Sequence, residues 1–151
     1  MASWNLSIPV GSPPATIETS QLMKGYDGKY FHSGSDVIWF WAPVTGSRTA
    51  NAIYPRSELR ETWSNGELHN WLYPDADNFL NATVAVNQVP SSGRIVIGQI
   101  HAYNSTEPLL KVEYQFKDAT GAGDIVAKVR NRFDDKKSRI ILIAEGVPMN
   151  E

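Results

Sequence analysis

The sequence has no cysteine among its 151 residues. Disulfide bridges, a thiolate nucleophile and cysteine-ligated zinc are therefore excluded. It also lacks any run of about eighteen apolar residues, the length a helix needs to cross a bilayer. The opening MASWNLSIPVGSPP has neither a basic leader nor the apolar stretch of a signal peptide. The expectation is a soluble chain whose export signal is absent or already removed. Charge is sparse: 14 Lys and Arg stand against 16 Asp and Glu, a net of −2. A chain of that balance mildly repels polyanions, so nucleic acid and membrane surfaces are not expected partners, and an acidic ligand would need a local basic site. P-loop, EF-hand and G-x-S-x-G patterns are missing, and His32 and His69 have no companion at metal-ligand spacing. Neither a metal nor a cofactor is expected.

No segment holds a helical period for three turns. What is present is a series of short, alternating, β-branched and aromatic runs at 37–42, 57–63, 81–89, 94–103, 109–116, 124–132 and 139–145, separated by segments rich in Gly, Pro, Asn, Asp and Ser or carrying charge clusters. This is the signature of an all-β sandwich or barrel. With 42% hydrophobic residues, the length supports one domain with a real core. The final apolar run, IILIAEG, is followed only by VPMNE, which predicts a strand whose natural neighbour is missing and a truncated domain.

Two strands carry polar residues in alternation. In YPRSELRETW, Arg56, Glu58 and Arg60 fall on one face, and Ser57, Leu59 and, further on, Trp63 tend toward the other. Such a row can order itself, because Glu58 is able to hold both guanidiniums by charge-assisted hydrogen bonds. In GRIVIGQIHAYN, Gln99, His101 and Tyr103 are predicted to project one way and Val96, Ile100 and Ala102 the other. A charged strand face is ordinarily the solvated side of an antiparallel sheet, and a lone His beside a Gln is ordinarily structural. Together, on one sheet, the two strands would bring guanidinium, amide and imidazole groups to a single carboxylate. Charge withdrawn from that carboxylate acidifies the adjacent carbon, and a neutral imidazole can take the proton. The chemistry is proton abstraction α to a carbonyl.

Other features read more plainly. VIWFWAP is expected to enter the core, with sugar stacking by Trp39 or Trp41 as the alternative. Lys128, Arg130 and Arg132 alternate along one strand and are expected to form its solvated face rather than extend a basic groove.

YPRSELRE, IGQIHAY, the opening WNLSIP and FWAPVTGSRTAN together resemble the alginate lyases of polysaccharide lyase family seven, across essentially the whole chain. The resemblance implies a β-jelly roll of two antiparallel sheets, the concave one forming a groove for an acidic polysaccharide, and cleavage by β-elimination without metal or cofactor. It implies that Arg56 and Gln99 neutralise the uronate carboxylate and that His101 serves as base or carboxylate ligand. Glu58 and Arg60 would shape the groove; Tyr103, on the face predicted for His101, is read from that alternation as a substrate contact rather than as a replacement acid. Ile at the centre of Gln-Ile-His accompanies guluronate-containing blocks in relatives, and secretion or a periplasmic location goes with the family.

One element departs from the family pattern. The family's general acid is a tyrosine in a Y-x-K-x-G-x-Y-x-Q type motif near the C-terminus, and the chain has no such segment; YQFKDATG at Tyr114 has the wrong spacing. The chain alone is therefore expected to be catalytically defective, with the remaining strands and the acid supplied elsewhere, for example by a separate polypeptide. Two rival functions stay open: a noncatalytic jelly-roll protein that holds acidic polysaccharides, and a glucuronan lyase on the same scaffold.

Overall fold

The computed structural model describes residues 1–50, 52–71, 79–101, 103, 107–132 and 136–150. The chain divides into two compact units, Met1–His69 and Asn70–Glu151. Both are built from antiparallel strands, and no helix among the described residues is long and apolar enough to cross a membrane.

In the first unit the strands are β1 (Trp4–Ser7), β2 (Thr16–Ile17), β3 (Phe31–Ser33), β4 (Ile38–Phe40) and β5 (Glu58–Glu61), with one short helix, α1 (Thr19–Met23). A three-stranded sheet runs β2-β1-β5, and β3 pairs with β4. Alternation explains β1: Leu6 faces inward, pairing in register with Ile17 on one side and Leu59 on the other. Leu6, Ile8, Ile17, Leu22 and Phe31 form the core, and Leu59 packs against it. Fully burying side chains such as Leu6 and Phe31 contributes about 1.5–3 kcal/mol each. The amide of Glu18 donates to Gln21 Oε1 at 2.9 Å, satisfying one orphan donor at the start of α1. A buried hydrogen bond of 3.2 Å between the Thr19 and Thr62 hydroxyls ties that helix to the end of β5.

The second unit is a four-stranded meander of β6 (Arg94–His101), β7 (Pro108–Lys117), β8 (Ala122–Val129) and β9 (Arg139–Pro148), in the order β6-β7-β8-β9. Its apolar face centres on Tyr114, which is 0% exposed. The ring lies over Gly123, where an added Cβ would come within 2.3 Å of Tyr114 Cζ. The phenol reaches past this glycine to donate to the Val147 carbonyl at 3.0 Å. Tyr114 thus clamps β7, β8 and β9 together, and only glycine leaves room for it.

Three expectations change. Residues 81–89 form no strand; the Asn150 amide, past the end of β9, donates to the Val86 carbonyl at 3.1 Å, but no ladder forms among the described residues, and alternation without a ladder does not make a strand. Ile38, Trp39 and Phe40 are each about 40% exposed rather than buried, because β4 has β3 on one side and no other strand among the described residues. Strands β1, β2 and β3 went unpredicted.

Gly123→Ala is expected to lower unfolding stability by about 1–3 kcal/mol through overpacking, and Tyr114→Phe by about 1 kcal/mol through the lost hydrogen bond. Urea denaturation measures both. An alanine variant as stable as the parent would show that the ring is not seated there.

Candidate active site

In β6 the ladder to β7 pairs Val96 with Glu113 and then Gly98 with Val112, leaving Ile97 as an extra residue. This β-bulge reverses the alternation from that point on. Without it, Gln99 and His101 would share a face with Ile95 and Ile97. With it, Gln99 pairs with Lys111 and Ile100 with Leu110, so the polar pair joins the face that carries Glu113 and Lys128. Val96 lies on that same face, which corrects the expectation that it opposes Gln99. Ile100 points to the apolar side, as expected. Ala102 lies outside the described residues.

Gln99 and His101 are partners: the imidazole Nε2 and the Gln99 Oε1 are 3.2 Å apart. The amide nitrogen of Gln99 takes no part in this contact, and its two N–H groups are left for another acceptor. A second irregularity follows at once, since His101 pairs with Pro108 and Leu109 is the extra residue on β7. Tyr103 sits beyond the end of β6, in a turn, 53% exposed, so strand alternation does not place it. Tyr114 is excluded as an acid by its burial and its bond to Val147.

The rest of this face is an ordered array of charges. Glu113, 7% exposed, accepts from Lys128 Nζ at 2.8 Å and from Gln115 Nε2 at 2.9 Å. Burial pushes its carboxyl up, but the hydrogen bonds from Lys128 and Gln115 outweigh burial and hold it below its ordinary value. Past the strand ends, Arg130 Nη1 donates to Glu107 Oε2 at 2.6 Å. That bond, with the guanidinium charge, holds the Glu107 carboxyl low, and the charges of Lys111 and His101 act in the same direction. Lys128 and Arg130 are thus engaged within the sheet, and β8 ends before Arg130 and Arg132.

The first unit presents the other predicted group. Leu59 faces the core, so its ladder neighbours Glu58 and Arg60 project from the opposite face, in register with Ser7 and Asn5. Arg56 Nη1 donates to Glu58 Oε1 at 3.0 Å, with both side chains about one-third exposed (34% and 33%). Ser57 turns the other way, its hydroxyl donating to the Tyr30 carbonyl at 2.7 Å. Glu58 therefore holds Arg56 as the alternation predicts, leaving the other edge of the guanidinium for a planar anion. His32 pairs with Asp27, and His69 with Glu61 at 3.3 Å while its ring lies against Trp63, tilted by 31°. No three His, Asp or Glu side chains among the described residues are grouped to hold a metal.

The amino-acid sequence matches, over residues 1–151, a family described as alginate lyase. A crystal structure of an alginate lyase from Pseudomonas aeruginosa superposes with a TM-score of 0.90 at 45% identity, covering 99% of this chain and 68% of that one. A second solved structure, alginate lyase A1-II′ of polysaccharide lyase family seven, has a TM-score of 0.76 at 28% identity and covers 99% of this chain and 65% of that one. A curated alginate lyase from Klebsiella pneumoniae is 33% identical over 142 residues, which span 72% of this chain and 46% of that protein. The chain thus spans about half the length of that curated relative and about two thirds of the two solved structures.

Lys128→Met is expected to cost about 2 kcal/mol at neutral pH, because it leaves Glu113 buried and short of its cation. Glu113 has a depressed folded pKa, so its stabilisation is present above its ordinary value of 4.5 and is lost as pH falls through the folded value. The stability gap between the two proteins should therefore narrow as pH drops below that range in a denaturation series. A gap independent of pH would contradict this account of Glu113.

Proposed function

The chain belongs to the alginate lyase family, and from that premise we propose that it cleaves alginate by β-elimination, acting on guluronate-containing blocks. Its fold is the β-jelly roll of that family, and we take the two units to be parts of one such domain with a groove on its concave sheet. The observation that carries the reading is the hydrogen-bonded Gln99–His101 pair on the polar face of β6, since a protein that only holds sugars has little use for a base beside a carboxylate-binding amide. A1-II′ has been crystallised with the product GGG and with the substrate GGMG, which supports an oligouronate as the ligand here.

In this mechanism Arg56 and the Gln99 amide hold the uronate carboxylate. They withdraw charge from it, so that C5 becomes a better acid. His101 removes the C5 proton, the C4–C5 double bond forms, the bond from C4 to the glycosidic oxygen breaks, and that oxygen takes a proton from an acid. Glu58 and Arg60 line the groove, Glu58 by fixing Arg56. Tyr103 is a substrate contact at the rim. The chain spans about two thirds of the solved relatives, and we assign the acid to the part of the family domain that it does not span. Supporting this, Ile140, Ile141, Leu142 and Ile143 of β9 are all exposed, as a strand awaiting neighbours would be. A secreted or periplasmic site of action goes with a polysaccharide substrate.

The test is ultraviolet absorbance of the unsaturated product on alginate, run on the chain alone and on a form extended to the length of the solved relatives. The extended protein should turn over alginate, and the chain alone little or not at all. His101→Ala should lower the extended protein's kcat by about 10²–10⁴-fold, and Arg56→Ala should lower kcat/KM. Alginate binding without new absorbance by the extended form would establish the noncatalytic binder instead. Faster turnover of polyglucuronate than of alginate would establish a glucuronan lyase.

A further inference from the structure

The register of the four-stranded sheet places one more side chain beside the Gln99–His101 pair. Lys111 of β7 is directly opposite Gln99 on one side and Lys128 of β8 on the other. Directly paired residues of an antiparallel ladder project to the same face, so Gln99, Lys111 and Lys128 form a row across three strands. Two lysines directly opposite each other repel, an arrangement that costs stability unless an anion is near. The other charges of this face near Gln99 are matched. Lys128 is held by Glu113 at 2.7 Å and Arg130 by Glu107 at 2.6 Å. Lys111 has no hydrogen-bond or ion-pair partner among the described residues, although the Glu107 carboxylate feels its charge. Around Gln99 two carboxylates thus stand against three cations, and the surplus positive charge there is carried next to the amide and the imidazole; Arg94, a further cation of this face, lies farther along the ladder opposite Gln115.

That surplus matches a repeating polyanion. A polyuronate carries a carboxylate on every sugar. Once one carboxylate is taken by Gln99 and its partners, the next lies one sugar further along a chain crossing the strands. We propose that Lys111 is a substrate-binding residue that holds the carboxylate of the uronate adjoining the one at Gln99 and His101. Lys128, tied to buried Glu113, is the fixed wall that keeps the Lys111 ammonium on the Gln99 side of the row. This rests on the reading of the chain as a polyuronate-binding protein.

Calorimetric binding of saturated tetraguluronate and of methyl guluronoside to the 151-residue chain tests it, with Lys111→Gln, Lys111→Arg and, as a remote loss of the same charge, Lys136→Gln. Lys111→Gln should weaken tetramer binding about tenfold, as expected for one charge-assisted contact. It should leave the single-sugar ligand unchanged. Lys111→Arg should stay within about twofold of the parent, and Lys136→Gln should match it. Equal tetramer binding by Lys111→Gln and the parent, or equal weakening by Lys136→Gln, would overturn the assignment of Lys111 alone. A parent chain that binds no uronate at all would overturn the function proposed above, and Lys111's role with it.

Discussion

The position of a single inserted residue, Ile97, decides what β6 can do. A strand alternates faces with a period of two, so a one-residue change in register moves every later side chain to the other side of the sheet. Without the bulge, Gln99 and His101 would share a face with Ile95 and Ile97, and Ile100 would sit among charges. With it, the strand is apolar where the sheet needs packing and polar where the ladder brings Lys111, Glu113 and Lys128 alongside. Bulges of this kind commonly re-aim side chains next to active sites.

The charges on that face follow from the same register. Glu113 is buried and would be costly alone. Lys128 and Gln115 satisfy its two oxygens, and the pair becomes a rigid element of the sheet rather than a docking charge. The apolar side is organised with equal economy: Tyr114 lies across Gly123 and binds the Val147 carbonyl, joining three strands through one side chain.

Membership of the alginate lyase family gives these features a common purpose. The Arg56–Glu58 pair and the Gln99–His101 pair are each already formed within their own unit, so under the function proposed above the polar groups assigned to substrate are ordered before any ligand arrives. Pre-formed pairs of this sort spare the substrate the entropy of ordering long side chains.

Alternation along 57–63 was enough to assign Arg56 and Glu58 to one face and Ser57 and Leu59 to the other, because a strand's period is a local property of the backbone. The same local rule located β6 to β9 within a few residues and marked Gln99 and His101 as out of place among aliphatics. It could not reveal Ile97 as an insertion, since a bulge exists only relative to a partner strand, and for that reason it put Val96 on the wrong face. It missed β1, whose four residues are held by pairing with β5, more than fifty positions away, and it promised a strand at 81–89 that finds no ladder. Lys111 was invisible for the same reason: LLKVEY reads as an ordinary strand until register sets its lysine against Gln99. Residue chemistry and side-chain period are written along the chain. Which groups become neighbours is settled by hydrogen-bonded pairing between distant segments, and only the folded sheet supplies that.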